Sequence, residues 1–186
     1  MPGGDVRRLL DAEHATLQNR WAQWLTRAGW MVGVEVTFSR YGERGSIDIL
    51  VWHAASATLL VIEIKTVIVD VQALLSNLDR KARNAPFIAR ERGWQPRAVV
   101  PALIVLEGTT ARRRVAEHAA LFARLTVRGH AALSWLRAAG VPPVPGGILL
   151  MTKLPAARSG DLRRAGRQRI RMERSDSRSQ DADQAV

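Results

Sequence analysis

An α/β fold with a central mixed β-sheet flanked by helices follows from three features of the sequence. Residues 5 to about 28 carry apolar side chains at helical spacing, and residues 45 to 66 read as two apolar strands joined by a short polar turn. Residues 98 to 106 form the near-continuous apolar run expected of a strand buried on both faces. A further strand over 30–39 and a helix from about Asp70 complete the order α-β-β-β-α-β, with additional elements to about residue 154. At 186 residues the chain has room for one domain with a sizeable core, here 1–154, and a tail over 155–186.

In the first helix Leu10, His14, Leu17, Trp21, Trp24, Leu25 and Ala28 form the apolar stripe, and Gly29 is a natural stop. Glu13 falls at the edge of that stripe. Over 30–39, Val32, Val34, Val36 and Phe38 alternate with Gly33, Glu35, Thr37 and Ser39, so one face is apolar and the other polar. Arg40 to Gly45 is a basic, glycine-bearing turn whose Arg40 and Arg44 suit a phosphate contact.

The hairpin carries an anomaly. Leu59, Val61, Glu63 and Lys65 share one face of its second strand, so an acid and a base interrupt an otherwise apolar surface. Asp48 stands between Ile47 and Ile49, again a carboxylate where burial favours an aliphatic residue. Singly, each has a structural explanation, such as an edge ion pair worth about 0–1 kcal/mol or a turn closure. Jointly, an Asp in one strand and Glu-x-Lys in the next bring two carboxylates and an ammonium within reach of one point. Convergent carboxylates are what a hard, oxygen-preferring cation such as Mg2+ requires.

Asp48 followed by Glu63-Ile64-Lys65, framed by Ser46-Ile47 and Val61-Ile62, resembles the PD-(D/E)xK nuclease superfamily over roughly residues 8–106. Ile47 stands where the pattern has Pro, a loose position of the motif. The resemblance implies a restriction-endonuclease-like core and a DNA-cleaving hydrolase that prefers DNA to RNA and uses Mg2+ or Mn2+. It implies Asp48, Glu63 and the Ile64 carbonyl as metal ligands, with Lys65 orienting or deprotonating the attacking water. It also offers Glu13 as an extra acid from the first helix, against the plainer reading of a Glu at a solvated helix boundary. A homodimer is an arrangement such small nucleases often use.

Asp70 is a suitable N-cap for the next helix, whose core stripe reads Val71, Leu74, Leu75, Leu78, Ala82 and Ala85. Gln72 and Arg83 lie on a flank that the resemblance turns toward the active site. Arg80 and Lys81 fall beyond them on an exposed flank and, with Arg40, Arg44 and Arg83, make up the basic set available to a nucleic-acid backbone. Pro86 and Gly93-Trp-Gln-Pro96 punctuate the following connection, and Pro101 places the next strand at an edge or bulge, or starts it late.

Beyond Thr109 the pattern gives a helix to about Ala120, a short strand near Leu125 and Val127, a helix over 131–139, a rigid loop over 141–147 and an edge strand over 148–151. The two helices, with their Arg112-Arg113-Arg114 triplet, raise a rival: a helix-turn-helix DNA reader in a transcription regulator, with a break longer than that motif's usual turn. Residues 155–174 hold seven Arg against Asp161 and Glu173 and few large apolar side chains, which predicts a disordered basic tail that grips phosphates or merely solubilises.

The composition narrows the field. Twenty-eight Lys+Arg against 17 Asp+Glu give a net charge of +11, which favours polyanionic partners. No cysteine is present, so disulfides, thiol catalysis and cysteine-ligated zinc are excluded. The histidines at 14, 53, 118 and 130 show no metal-ligand spacing and read as surface or packing residues. Neither a nucleotide-binding Gly-x-x-x-x-Gly-Lys loop nor a Gly-x-Ser-x-Gly elbow occurs. With no bilayer-length apolar run and no signal-peptide core at the start, the expectation is a cytoplasmic protein without membrane contact.

Overall fold

The computed structural model describes residues 3–139 and 146–154, all within one compact unit. Its architecture is α/β, a six-stranded mixed sheet in the order β1-β2-β3-β4-β6-β5 with helices on both faces. None of the described helices is long and apolar enough to cross a membrane. The expected tail over 155–186, and residues 141–145 of the expected rigid loop, lie outside the described residues.

Helix α1 spans Gly3–Arg27 and buries Leu17, Trp21 and Leu25, one turn apart along its stripe. Gly29, at φ +91, ends it, and the Trp30 N–H reaches back to the Leu25 carbonyl at 3.1 Å. Strand β1 (Met31–Arg40) follows at the edge of the sheet. Its alternation is not the simple one expected, because Val34 is 43% exposed. Val32 packs with the α1 side of the sheet, while Val36 and Phe38 pack on the opposite side. The change of face occurs at Glu35, a non-glycine residue at φ +50.

Tyr41 and Gly42, at φ +47 and +81, form the turn into β2 (Glu43–His53). Positive φ at both central residues matches the right-handed twist of a hairpin, so the predicted six-residue turn is in fact this tight pair. Strand β3 (Thr58–Lys65) pairs antiparallel with β2 and parallel with β4 (Ala98–Leu106). Leu60, Ile62 and Ile64 face α1, whereas Leu59 and Val61 pack on the other side against Ala85, Ile88 and Ala89 of helix α2 (Val71–Glu91).

The Asp70 side chain caps α2 by accepting from the Ala73 N–H at 2.9 Å. Pro86 does not end this helix, contrary to expectation, but sits inside it. Proline removes one intrahelical donor; burial of Ile88 and Ala89 beyond it against β2 and β3 offsets that loss. Pro101 is likewise inside β4, opposite Val61, but one residue before the pairing with β6 (Ile148–Thr152) begins at Ala102. Its second side therefore has no ladder donor to supply. A Cβ on Gly147 would lie 2.6 Å from the Pro101 carbonyl, which explains a glycine there.

The predicted helix from Thr109 breaks at His118 into α3 (Thr109–Glu117) and α4 (Ala119–Phe122). Strand β5 is Val127–Arg128, and α5 is Gly129–Arg137. β5 takes the sheet edge, so β6 is interior rather than the edge strand expected. α3 packs on the α2 face through Ala111 and Val115, and α5 on the α1 face through Ala132, Trp135 and Leu136. Helices on opposite faces of a sheet cannot form a helix-turn-helix unit, and that reading is overturned.

Candidate active site

The ladder between β2 and β3 runs from His53↔Thr58 to Ile49↔Ile62 and stops there. One more step would set Asp48 opposite Glu63, on the same face of the sheet. Instead the Asp48 carboxylate takes over as acceptor, with Oδ2 receiving the Ile64 N–H at 2.7 Å. The strands part at this point. On the other side of β2 the register is unchanged before and after Asp48, yet the Glu35–Asp48 pair is missing from it. Ile47 then packs on the α2 side with Leu50 and Trp52, while Ile49 and Val51 pack on the α1 side. The alternation slips at Asp48, and the slip turns its carboxylate into the gap between the strands.

Helix α2 fills that gap with Lys81. Its Nζ lies 3.4 Å from Asp48 Oδ1 and forms a close ion pair with Glu63 Oε2. Glu63 Oε1 is 2.6 Å from Lys65 Nζ. Glu63 is 3% exposed and Lys81 8%, whereas the Lys65 side chain remains 37% exposed. From α1, His14 Nε2 stands 3.8 Å from Asp48 Oδ2, and Gln18 Nε2 donates to the Asp48 carbonyl at 2.9 Å. Burial, and then the Glu63 charge, push the Asp48 carboxyl above the usual carboxylate range; Lys81, the Ile64 N–H and His14 act against this.

Asp48, Glu63, Ile64 and Lys65 are thus gathered at one end of the hairpin. Other sequence assignments change. Lys81, expected on an exposed flank, is the centre of the cluster. Gln72 is exposed on the first turn of α2, and its side chain makes no hydrogen bond among the described residues. Glu13 is half-buried with no ion pair among them; His14 and Gln18, one turn apart, are the α1 residues that touch Asp48. His14 therefore belongs to the site rather than to the surface. Arg80 is half-buried and donates to Asn77 at 2.8 Å.

Two signals for Lys81 were present in the sequence. It is three residues after Leu78 and four before Ala85, both fully buried, so it falls on the core stripe of α2. It is also one of only three lysines among 28 Lys+Arg, and a second, Lys65, touches the same glutamate.

Around this core lie two open regions. A cleft of about 290 Å³ is lined by Lys65, Ile68, Asp70, Leu74 and Asn77. A second cavity, of about 490 Å³, is lined by Arg40, Tyr41, Asn84 and Phe87. There the Arg40 guanidinium sits 3.2 Å above the Phe87 ring, while Tyr41 at the hairpin tip is 91% exposed. Arg44 is exposed, and Arg83, also exposed, is 3.5 Å from Glu43.

Mg2+ is usually held by one or two carboxylates and keeps several waters, so Asp48 and Glu63 are adequate in kind. No group of three or more His, Asp or Glu side chains among the described residues is arranged to hold a metal. Compared with known proteins, the chain matches no family model, no curated protein and no solved structure.

Proposed function

We propose that the chain is a Mg2+-dependent nuclease that hydrolyses phosphodiester bonds of DNA on a restriction-endonuclease-like core. One observation carries this reading: Asp48 and Glu63, from strands that part at that point, converge on one ammonium with Lys65 on the same face. Paired carboxylates buried to this degree demand a cation beside them. The element order and the antiparallel β2–β3 hairpin followed by parallel β4 agree with the sequence resemblance.

In this reading Asp48 and Glu63, with the Ile64 carbonyl, hold the metal. Mg2+ bound there supplies positive charge to the phosphoryl oxygens and a lowered pKa to water. Lys65, half-exposed on the cleft, orients the attacking water and meets the negative charge that develops on the phosphate. His14 and Gln18 keep Asp48 aimed inward. The net charge of +11 favours a polyanion; Arg44 and Arg83 are exposed to its backbone, and Arg40 is half-buried over Phe87 beside them.

Cleavage of linear, nicked, single-stranded and branched DNA with Mg2+ and with Mn2+ tests the reading. Asp48→Ala and Lys65→Ala should each lower the rate by about a hundredfold or more while DNA binding is retained. Calorimetry should show metal affinity weakened by Glu63→Ala and spared by Lys65→Ala. The neutralisation of the acid pair by Lys81 favours a second reading, a nucleic-acid-binding module without catalysis. Binding without cleavage on every substrate with both metals would select it.

A further inference from the structure

We propose that Lys81 is the resident cation of the acid pair, holding in the metal-free protein the place a divalent ion takes, and that metal entry moves its ammonium into the adjoining cleft. The inference rests on the reading of Asp48 and Glu63 as a metal site. Among the described residues, Lys81 is the cation that contacts both carboxylates; Lys65 contacts Glu63 alone. Asp48 and Glu63 carry two negative charges, and the two lysines carry two positive ones. The cluster is therefore neutral as it stands, and a divalent ion added without displacement would leave it doubly positive in a buried setting.

The chain supplies means for that displacement. Lys81 projects from α2 and not from the hairpin, so its ammonium can leave without breaking the β2–β3 ladder or the Asp48–Ile64 hydrogen bond. Helical side chains lean toward the N-terminus of their helix, which aims the Lys81 stem at the turn containing Asn77. Asn77 lines the cleft that Lys65 also borders. A displaced Lys81 thus joins Lys65 on one side of that cleft, and the two ammonium groups face an incoming phosphate. The residue type is suited to this exchange: a lysine ammonium is a compact charge on a flexible stem, and a guanidinium fork is not. A chain that uses arginine nearly everywhere else keeps two of its three lysines here.

The test is calorimetric titration of MnCl2 into the full chain and into Lys81→Met. Removing the competing ammonium should tighten Mn2+ binding by about tenfold or more. Unchanged or weaker affinity in the folded variant would overturn the displacement but leave the metal site standing; no Mn2+ uptake by either protein would sink both. Because Lys81→Met leaves two buried carboxylates facing each other and can fail to fold, a second measurement uses the wild type. Reductive methylation followed by mass spectrometry should find Lys81 the slowest of the three lysines without Mg2+. With Mg2+ it should react several times faster, while Lys153 is unchanged. A Lys81 rate that ignores Mg2+ would overturn the proposal.

Discussion

Along one face of β3, buried residues two apart are chemically opposite. Leu59 and Val61 are fully buried against Ala85, Ile88 and Ala89, and two residues further along the same face Glu63 is as buried against Lys81. One helix stripe covers both halves. Its C-terminal turns present small and aliphatic residues and one turn earlier it presents an ammonium. Burial by itself therefore does not mark the site. What distinguishes the polar half is that β2 leaves the ladder beside it, so a carboxylate replaces a main-chain acceptor and room opens for side chains from two helices. The apolar half stabilises the fold through area removed from water. The polar half keeps ionised groups dry only while they remain matched.

Breaking the match should have the largest effect. Glu63→Leu makes the polar half resemble the apolar one but leaves the buried Lys81 charge facing Asp48 alone, and should cost about 4 kcal/mol by urea denaturation. Adding Lys81→Met should restore most of that loss, since replacing a buried pair with apolar residues is often neutral or stabilising. If the double variant is no more stable than the single one, the pairing is not what holds this end together. In the apolar half, Leu59→Ala should cost about 3 kcal/mol through the cavity it leaves, with metal affinity unchanged. At the border of the cleft, Asp70→Ala removes the α2 cap and should cost about 1 kcal/mol.

The smallest expected effect is a slope. Burial and the Glu63 charge raise the Asp48 carboxyl, so the folded chain takes up that proton at higher pH than the unfolded chain. Its contribution to stability is then fully present below the unfolded value and falls as pH rises through the folded one. Asp48→Asn removes the titration. The stability of wild type relative to this variant should decline as pH rises above the ordinary carboxylate range, and a flat difference would contradict the burial of Asp48.

Much of the fold was legible in the residues because its elements are periodic. The α1 stripe, the hairpin, the Asp70 cap and the apolar β4 run lie where local patterns put them. Pro86 misled because its penalty is local and is met by packing that no local pattern reveals, whereas Pro101 sits where one ladder side of β4 is open, the edge-like position its chemistry calls for. The tail assignment over 155–186 and the loop assignment over 141–145 fall outside the described residues.

The sequence by itself determined that Asp48, Glu63 and Lys65 would lie near one another, because a short hairpin with a period of two allows few other outcomes. Only the tertiary structure decided that β2 leaves the ladder at Asp48, that His14 and Gln18 reach it in place of Glu13, and that Lys81 stands between the acids instead of Gln72 beside them. Those contacts join residues 18 to 34 positions apart, and their geometry depends on how α1 and α2 lie across opposite faces of the sheet.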